Sequence, residues 1–230
     1  FVYSNKINIL DTLPKDEKKR LITELQNYWE DSLQVRIVQK YVGLKNILLN
    51  PPVFDSSNIP RSINFMNAYL NSQGYFYTNL KDSVAIDTVR TQIRVNVFMN
   101  ITVGKNISID SVSYSFSDSS LRSLVLAGTS ESLLKKGKPY TKQVISDELD
   151  RLTNLFRQNG YYNFNRDDLI AVVDTLDTKL LPLPLDPFKQ AEIIGQAAKR
   201  RKENPTWDVN LTHRPILDSN KLLQFSMGYI

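Results

Sequence analysis

The sequence predicts an α+β protein made of two tandem units, each a small three-stranded sheet covered by two helices in the order β-α-α-β-β. Three observations predict it. The first is a near-repeat: "LNSQGYFYTNLKDSVAIDT" (Leu70–Thr88) and "FRQNGYYNFNRDDLIAVVDT" (Phe156–Thr175) both run from a helical lead-in through Gln, Gly and aromatics into a β-rich stretch closing on Asp-Thr. The second is the strict alternation of "TQIRVNVFMNITV", with Ile93, Val95, Val97, Met99, Ile101 and Val103 on one face and Arg94, Asn96, Asn100 and Thr102 on the other. The third is a set of apolar stripes at helical spacing, carried by Leu21, Leu25 and Tyr28, by Ile63, Met66 and Leu70, and by Ile145, Leu149, Leu152 and Phe156. The two glycines that end the lead-in helices lie 86 residues apart, the size of one small domain.

In the first unit, "FVYSNKINIL" reads as a strand, and "DTLPKDEKKRLITELQNYWE" as a helix with Ile22 and Trp29 beside its stripe. Residues 31–55 mix alternation (Leu33, Val35, Ile37) with helical spacing and stay unassigned. Ser57, Asn58 and Pro60 are start signals for the next helix, whose stripe Phe65 and Tyr69 widen. Gly74 ends that helix, because a left-handed terminator costs a residue with a Cβ about 1–2 kcal/mol and glycine nothing. Tyr75 and Phe76 can then fold back onto the last apolar turn. Val84 and Ile86 open a strand, and Asp87-Thr88 is expected to start the turn before the alternating strand.

The second unit repeats the order. "ISIDSVSYSF" is a strand whose parity slips between Ile109 and Val112, as at a bulge. Residues 118–127 form a short helix closed by Gly128, and a longer helix from Thr141 ends at Gly160, followed by Tyr161. "DLIAVVDT" and "TWDVNLTHRPI" are strands, separated by an insertion at about 181–204 with an extended "LLPLPLDP" and a helix-prone, basic-ended "FKQAEIIGQAAKRRKEN". The expected domains are 1–105 and 106–218, with 219–230 the start of a third unit. The abrupt ends at Phe1 and Ile230 read as those of a piece cut from a longer chain.

Composition narrows the function. The chain is globular in character, 41% hydrophobic and 23% charged, with 29 Lys+Arg against 24 Asp+Glu, an excess that reads as a solvated basic surface. With no cysteine, disulfides, thiolate metal sites and cysteine nucleophiles are excluded. No apolar run approaches the roughly 18 residues of a spanning helix. The single histidine, His213, lies near a strand end and reads as a surface or turn residue. Asp87-Thr88 and Asp174-Thr175 are explained by strand-to-turn chemistry, and "GTSESLLKKGK" lacks Walker A spacing. No catalytic, metal or cofactor site is expected. Lys199–Lys202 reads as a solvated helix end, and the aromatics at 75–77 and 161–164 as packing groups, so no nucleic-acid partner is expected. Three N-x-S/T sequons, at Asn100, Asn106 and Asn210, carry no weight. What remains is binding through open edges of small sheets, where an extended partner can add a strand.

"NKINI", "NPPVFD…YLNSQGYF" and "GKPYTKQVISDELDRLTNLFRQNGYYNFNRDDLIAVVDT", in that β-α-α-β-β order, resemble the POTRA domains of BamA/TamA-like outer-membrane assembly proteins, most closely the lipid-anchored TamL-like branch. The resemblance spans nearly the whole chain and is most specific in the second unit. It implies a non-enzymatic periplasmic arm, a C-terminal β-barrel in the outer membrane that this chain lacks, and no cofactor. Its implied partners are nascent outer-membrane proteins and a TamB-like periplasmic protein. In such a fold the strand after the Gly-aromatic turn is expected at the sheet edge. That places partner contacts along Val84, Ala85, Ile86 and Asp87 and along Leu169, Ile170, Ala171, Val172 and Val173, positioned by the turns at Gly74-Tyr75 and Gly160-Tyr161. Two alternatives stay open: a POTRA-like scaffold of a division or secretion complex, and an unrelated tandem peptide- or glycan-binding module with an aromatic-lined groove.

Overall fold

A computed structural model describes residues 1–35, 50–174, 203–214 and 219–225, the backbone of 37–40 and 45–48, and single residues at 190, 192, 195 and 199. The chain divides into two compact units, Phe1–Gly104 and Lys105–Ile230.

The first unit contains β1 (Val2–Ile9), α1 (Lys15–Leu25), β2 (Ile37–Lys40), β3 (Lys45–Leu48), α2 (Ile59–Ser72), β4 (Asn79–Val89) and β5 (Gln92–Thr102). Its main sheet has the order β1-β5-β4. β1 lies parallel to β5, and β4 antiparallel to it through a tight connection at Arg90-Thr91. Joining the parallel pair takes a long crossover, which α1 and α2 supply. The alternation of β5 turns Val95, Val97, Met99 and Ile101 onto those helices, where they meet Leu21, Leu25, Met66 and Leu70, all buried. Asp11 ties the far end of β1 to the end of β5, its Oδ2 accepting from the Val103 N–H at 2.5 Å.

Four features of this unit differ from the sequence expectations. The unassigned 31–55 stretch holds a 3-10 turn (Asp31–Leu33) and an antiparallel pair, β2 with β3, separate from the main sheet. β4 begins at Asn79, so Asp87 and Thr88 stay in the strand, and the turn comes two residues later with Arg90 left-handed at φ 57°. Ile93 shares the parity of the buried residues but is 60% exposed, because the β4–β5 hairpin runs past the residues that β1 and the helices cover. Phe65 is 50% exposed and does not widen the stripe of α2, whereas Tyr69 packs on the core and stacks on Tyr28 at 4.8 Å.

The second unit contains β6 (Ser108–Ser115), α3 (Ser119–Ala127), α4 (Lys142–Gln158), β7 (Leu169–Asp174) and β8 (Thr206–His213), with sheet order β6-β8-β7. β6 is parallel to β8, and β7 antiparallel to it. The parity slip is a register shift between Ile109 and Ser111. Asp118 caps α3 by accepting from the Ser120 and Leu121 N–H groups, both at 2.9 Å, and Thr141 caps α4 through the Val144 N–H. Gly128 closes α3 at φ −91°, without a left-handed turn. Ile145, Leu149, Leu152 and Phe156 point from α4 into the core with Leu121, Val125, Val209 and Leu211.

Most of the insertion at 181–204, with most of the basic run at 199–202, lies outside the described residues. Where a third-unit strand was expected, Ser219–Leu222 form a 3-10 turn, and residues 226–230 lie outside the described residues.

Candidate functional site

Each main sheet has one edge strand that follows a glycine turn, and the turns are built alike. Gly74 and Gly160 adopt φ 88° and 93°. The following aromatic N–H reaches back to the helix: Tyr75 donates to the Leu70 carbonyl and Tyr161 to that of Phe156, both at 3.0 Å. The tyrosine rings are then buried over the last apolar residues of α2 and α4.

Side chains lock the turns. In the first unit the Tyr75 hydroxyl donates to Glu17 at 3.1 Å, while Arg20 holds Glu17, Tyr69 and Gln73 together. The Arg20 guanidinium keeps the Glu17 carboxyl below the usual carboxylate range. Burial, with the Glu17 charge beside it, pushes the Tyr75 phenol up to about 12, so it remains a donor at neutral pH. In the second unit Arg157 grips the Phe164 carbonyl at 2.8 Å and the Asn165 side chain at 2.6 Å. Asp168 accepts from the Asn165 N–H and pairs with Lys221 at 2.5 Å.

Those turns deliver β4 and β7 to the sheet edges. In the central strand, Val95 donates to the Phe1 carbonyl and Ile101 accepts from the Leu10 N–H, so both aim their backbone groups at β1. Their partners Ile86 and Leu80 are therefore at non-hydrogen-bonded positions, with N–H and C=O directed away from the sheet. By the same alternation Asp82, Val84 and Thr88 also point outward, while Ala85 and Asp87 bond inward to β5. In β7 the Arg214 N–H donates to the Asp168 carbonyl at 2.8 Å, which makes Leu169, Ala171 and Val173 the outward residues and turns Ile170 and Val172 toward β8. Of the nine edge residues expected from the sequence, five (Val84, Ile86, Leu169, Ala171 and Val173) direct their backbone N–H and C=O groups away from the sheet. Leu80, Asp82 and Thr88 share that orientation, at even spacing with Val84 and Ile86.

Two other groupings resemble sites. The His213 Nδ1 faces the Arg214 carbonyl at 2.8 Å and Nε2 the Ser117 hydroxyl at 2.5 Å, which stitches the loop after β6 to the end of β8. A cavity of about 440 Å³ between α4 and the 165–167 turn is lined by charged and amide side chains such as Asp150, Asn154, Arg157 and Arg166, with no aromatic ring. Among the described residues no acidic, histidine or cysteine cluster is arranged to hold a metal, and no helix is long and apolar enough to cross a membrane.

Residues 101–179 match the POTRA family model, described as "Surface antigen variable number repeat". The match runs from the end of β5 through α3 and α4 to just past β7, and so covers the second unit up to its central strand. The matched stretch is the one in which the sequence motifs are densest. Solved structures are similar at low identity. Haemophilus influenzae BamA POTRA3-5 is 14% identical over 93% of this chain and 65% of its own, at a TM-score of 0.39. BamA from Haemophilus ducreyi lacking POTRA domains 1–3 is 12% identical over 91% of this chain and 28% of its own, at 0.38. POTRA1-2 of the periplasmic domain of Omp85 from Anabaena is 11% identical over 94% of this chain and 96% of its own, at 0.31. The chain thus spans less than two thirds of the length of the first two. No curated protein matches the sequence.

Proposed function

We propose that this chain is a non-enzymatic partner-binding arm in the periplasm, belonging to an outer-membrane β-barrel protein that assembles or translocates outer-membrane proteins. It works by strand addition: an extended segment of a nascent outer-membrane protein, or of a TamB-like partner, pairs with the outer edge of β4 or β7, to which no strand among the described residues is bonded. The observation that carries this reading is the pair of edges with outward backbone groups, at Val84 and Ile86 and at Leu169, Ala171 and Val173. A main-chain mechanism needs no catalytic residue and tolerates varied clients, because the backbone is common to all of them.

Ala171→Pro tests it. The Ala171 N–H points away from β8, so proline removes an outward donor without breaking the existing ladder. The folded variant, checked by circular dichroism, is expected to lose amide NMR perturbations along β7 on titration with a ten-residue peptide of alternating apolar and polar residues. Unchanged perturbations would sink the edge mechanism. For the membrane connection, an antibody against this chain should detect a larger outer-membrane band whose mobility changes on boiling. A soluble band near 26 kDa that ignores heat would overturn that part.

A further inference from the structure

The geometry points to β4 as a self-association edge: two copies of this chain pair antiparallel along Asn79–Val89, around a two-fold axis at Val84. Edge strands are ordinarily blunted by proline, a bulge, very short length or charged side chains. β4 lacks the first three, and its charges, Lys81, Asp82 and Asp87, restrict which partner strand and which register it accepts. It runs eleven residues, pairs with β5 without a register shift, and contains no proline. Its helix-side face also carries Val84 and Ile86, 38% and 64% exposed, with Ile93 of β5 beside them.

The register follows from two independent requirements. Backbone bonding demands that the outward residues Leu80, Asp82, Val84, Ile86 and Thr88 face one another, and overlap of all eleven residues demands that the axis pass through the middle of the strand, at Val84. In that register Val84 meets its own copy, Leu80 meets Thr88 and Asp82 meets Ile86. On the open face Lys81 lies opposite Asp87 of the other copy, and the symmetry makes this pair twice. Asp87 has one carboxylate oxygen engaged by the Asn96 amide at 2.7 Å, and it lies exposed at the edge. Sliding the register by two residues in either direction removes both ion pairs, setting Lys81 against Val89 or Ala85. Opposite charges across a strand pair stabilise it, so length and charge select one alignment. The result is a closed, isologous dimer that ends in no growing sheet, because each copy uses its single β4 edge once. A dimer of this kind competes with strand addition at β4 and leaves β7 untouched; it does not depend on the proposed function.

The absence of cysteine makes the test unambiguous. Ser83 and Ala85 fall opposite each other across the axis at a non-hydrogen-bonded position, where Cα atoms approach to about 4.5 Å and a disulfide fits. Ser83→Cys and Ala85→Cys chains, mixed under mild oxidation, are expected to cross-link at least about tenfold faster than either variant alone. In analytical ultracentrifugation Lys81→Asp should raise the dimer dissociation constant about tenfold, and Lys81→Asp with Asp87→Lys should restore it. A chain that stays monomeric at its highest soluble concentration overturns the proposal. So does a dimer whose cross-linking ignores the mixing, or one that charge exchange fails to rescue. A monomer that still binds strand peptides sinks the pairing alone, and a dimer that ignores such peptides at β7 sinks the proposed function alone.

Discussion

Gly160 and Phe225 meet backbone to backbone: the Phe225 N–H donates to the Gly160 carbonyl at 2.9 Å, and the Phe225 carbonyl oxygen occupies the space that a Cβ on Gly160 would need. Gln224 Cγ and the Phe225 nitrogen crowd the same spot at 3.1 and 3.3 Å. The glycine therefore answers two demands, a left-handed φ of 93° and room for the returning segment. Gly160→Ala is expected to destabilise the second unit by at least about 2 kcal/mol in urea unfolding, more than left-handed strain alone requires. The variant should also release residues 219–225 to limited proteolysis. A loss of only about 1 kcal/mol would mean that the segment yields freely.

Glu148 should make the second unit acid-sensitive. It is fully buried in α4, bound by Arg151 at 2.7 and 3.0 Å and by the Leu133 N–H at 2.8 Å, with the Tyr114 hydroxyl at 3.3 Å. Burial by itself would raise its pKa, but the guanidinium and the backbone donor outweigh it and hold the carboxyl below the usual range. A depressed folded value means that the unfolded state binds more protons, so the contribution is complete above about pH 4.3 and fades as the pH falls through the folded value. Glu148→Ala is expected to cost about 3 kcal/mol at neutral pH, because it strands Arg151. Denaturant melts from pH 7 downward should show that deficit shrinking in acid, and a pH-independent deficit would refute the assignment.

Met99 and Ile86 lie in the same hairpin, yet they should respond very unequally to truncation. Met99 is fully buried beneath the helices, whereas Ile86 is 64% exposed on the projecting part of β4. Met99→Ala is expected to cost about 2–5 kcal/mol, and Ile86→Ala less than about 0.5 kcal/mol. Both thermal melts are made at a dilution where the chain is monomeric, and equal costs there would mean that the hairpin tip is packed within its own unit.

Local rules made much of this fold legible. The parity slip between Ile109 and Val112 appears as a register shift, Thr141 caps its helix, and the two Gly-Tyr turns form because only glycine enters that conformation without strain. Legibility failed where the deciding contact is remote. The alternation of β5 could not reveal that Ile93 lies beyond the reach of the helices, because period two reports a face and not what covers it. The unassigned stretch at 31–55 mixed both periods, and its short paired strands stand apart from the main sheet. "KLLQFSMGYI" (221–230) reads as the first strand of a further unit, but its described part, up to Phe225, turns back onto Gly160 and Asp168, contacts that span more than fifty residues.

The sequence by itself determined the α+β class, the repeated unit, the helices, the glycine turns that end α2 and α4, and the apolar face of the central strand β5. Those follow from backbone preference and side-chain period, which act within a few residues. Only the tertiary structure decided that β1 pairs with β5 and β6 with β8 in parallel, which leaves β4 and β7 outermost and sets which of their N–H groups face outward. Strand order and hydrogen-bond phase are fixed by pairing across long stretches of chain, and the candidate site consists of the backbone groups that this pairing leaves over.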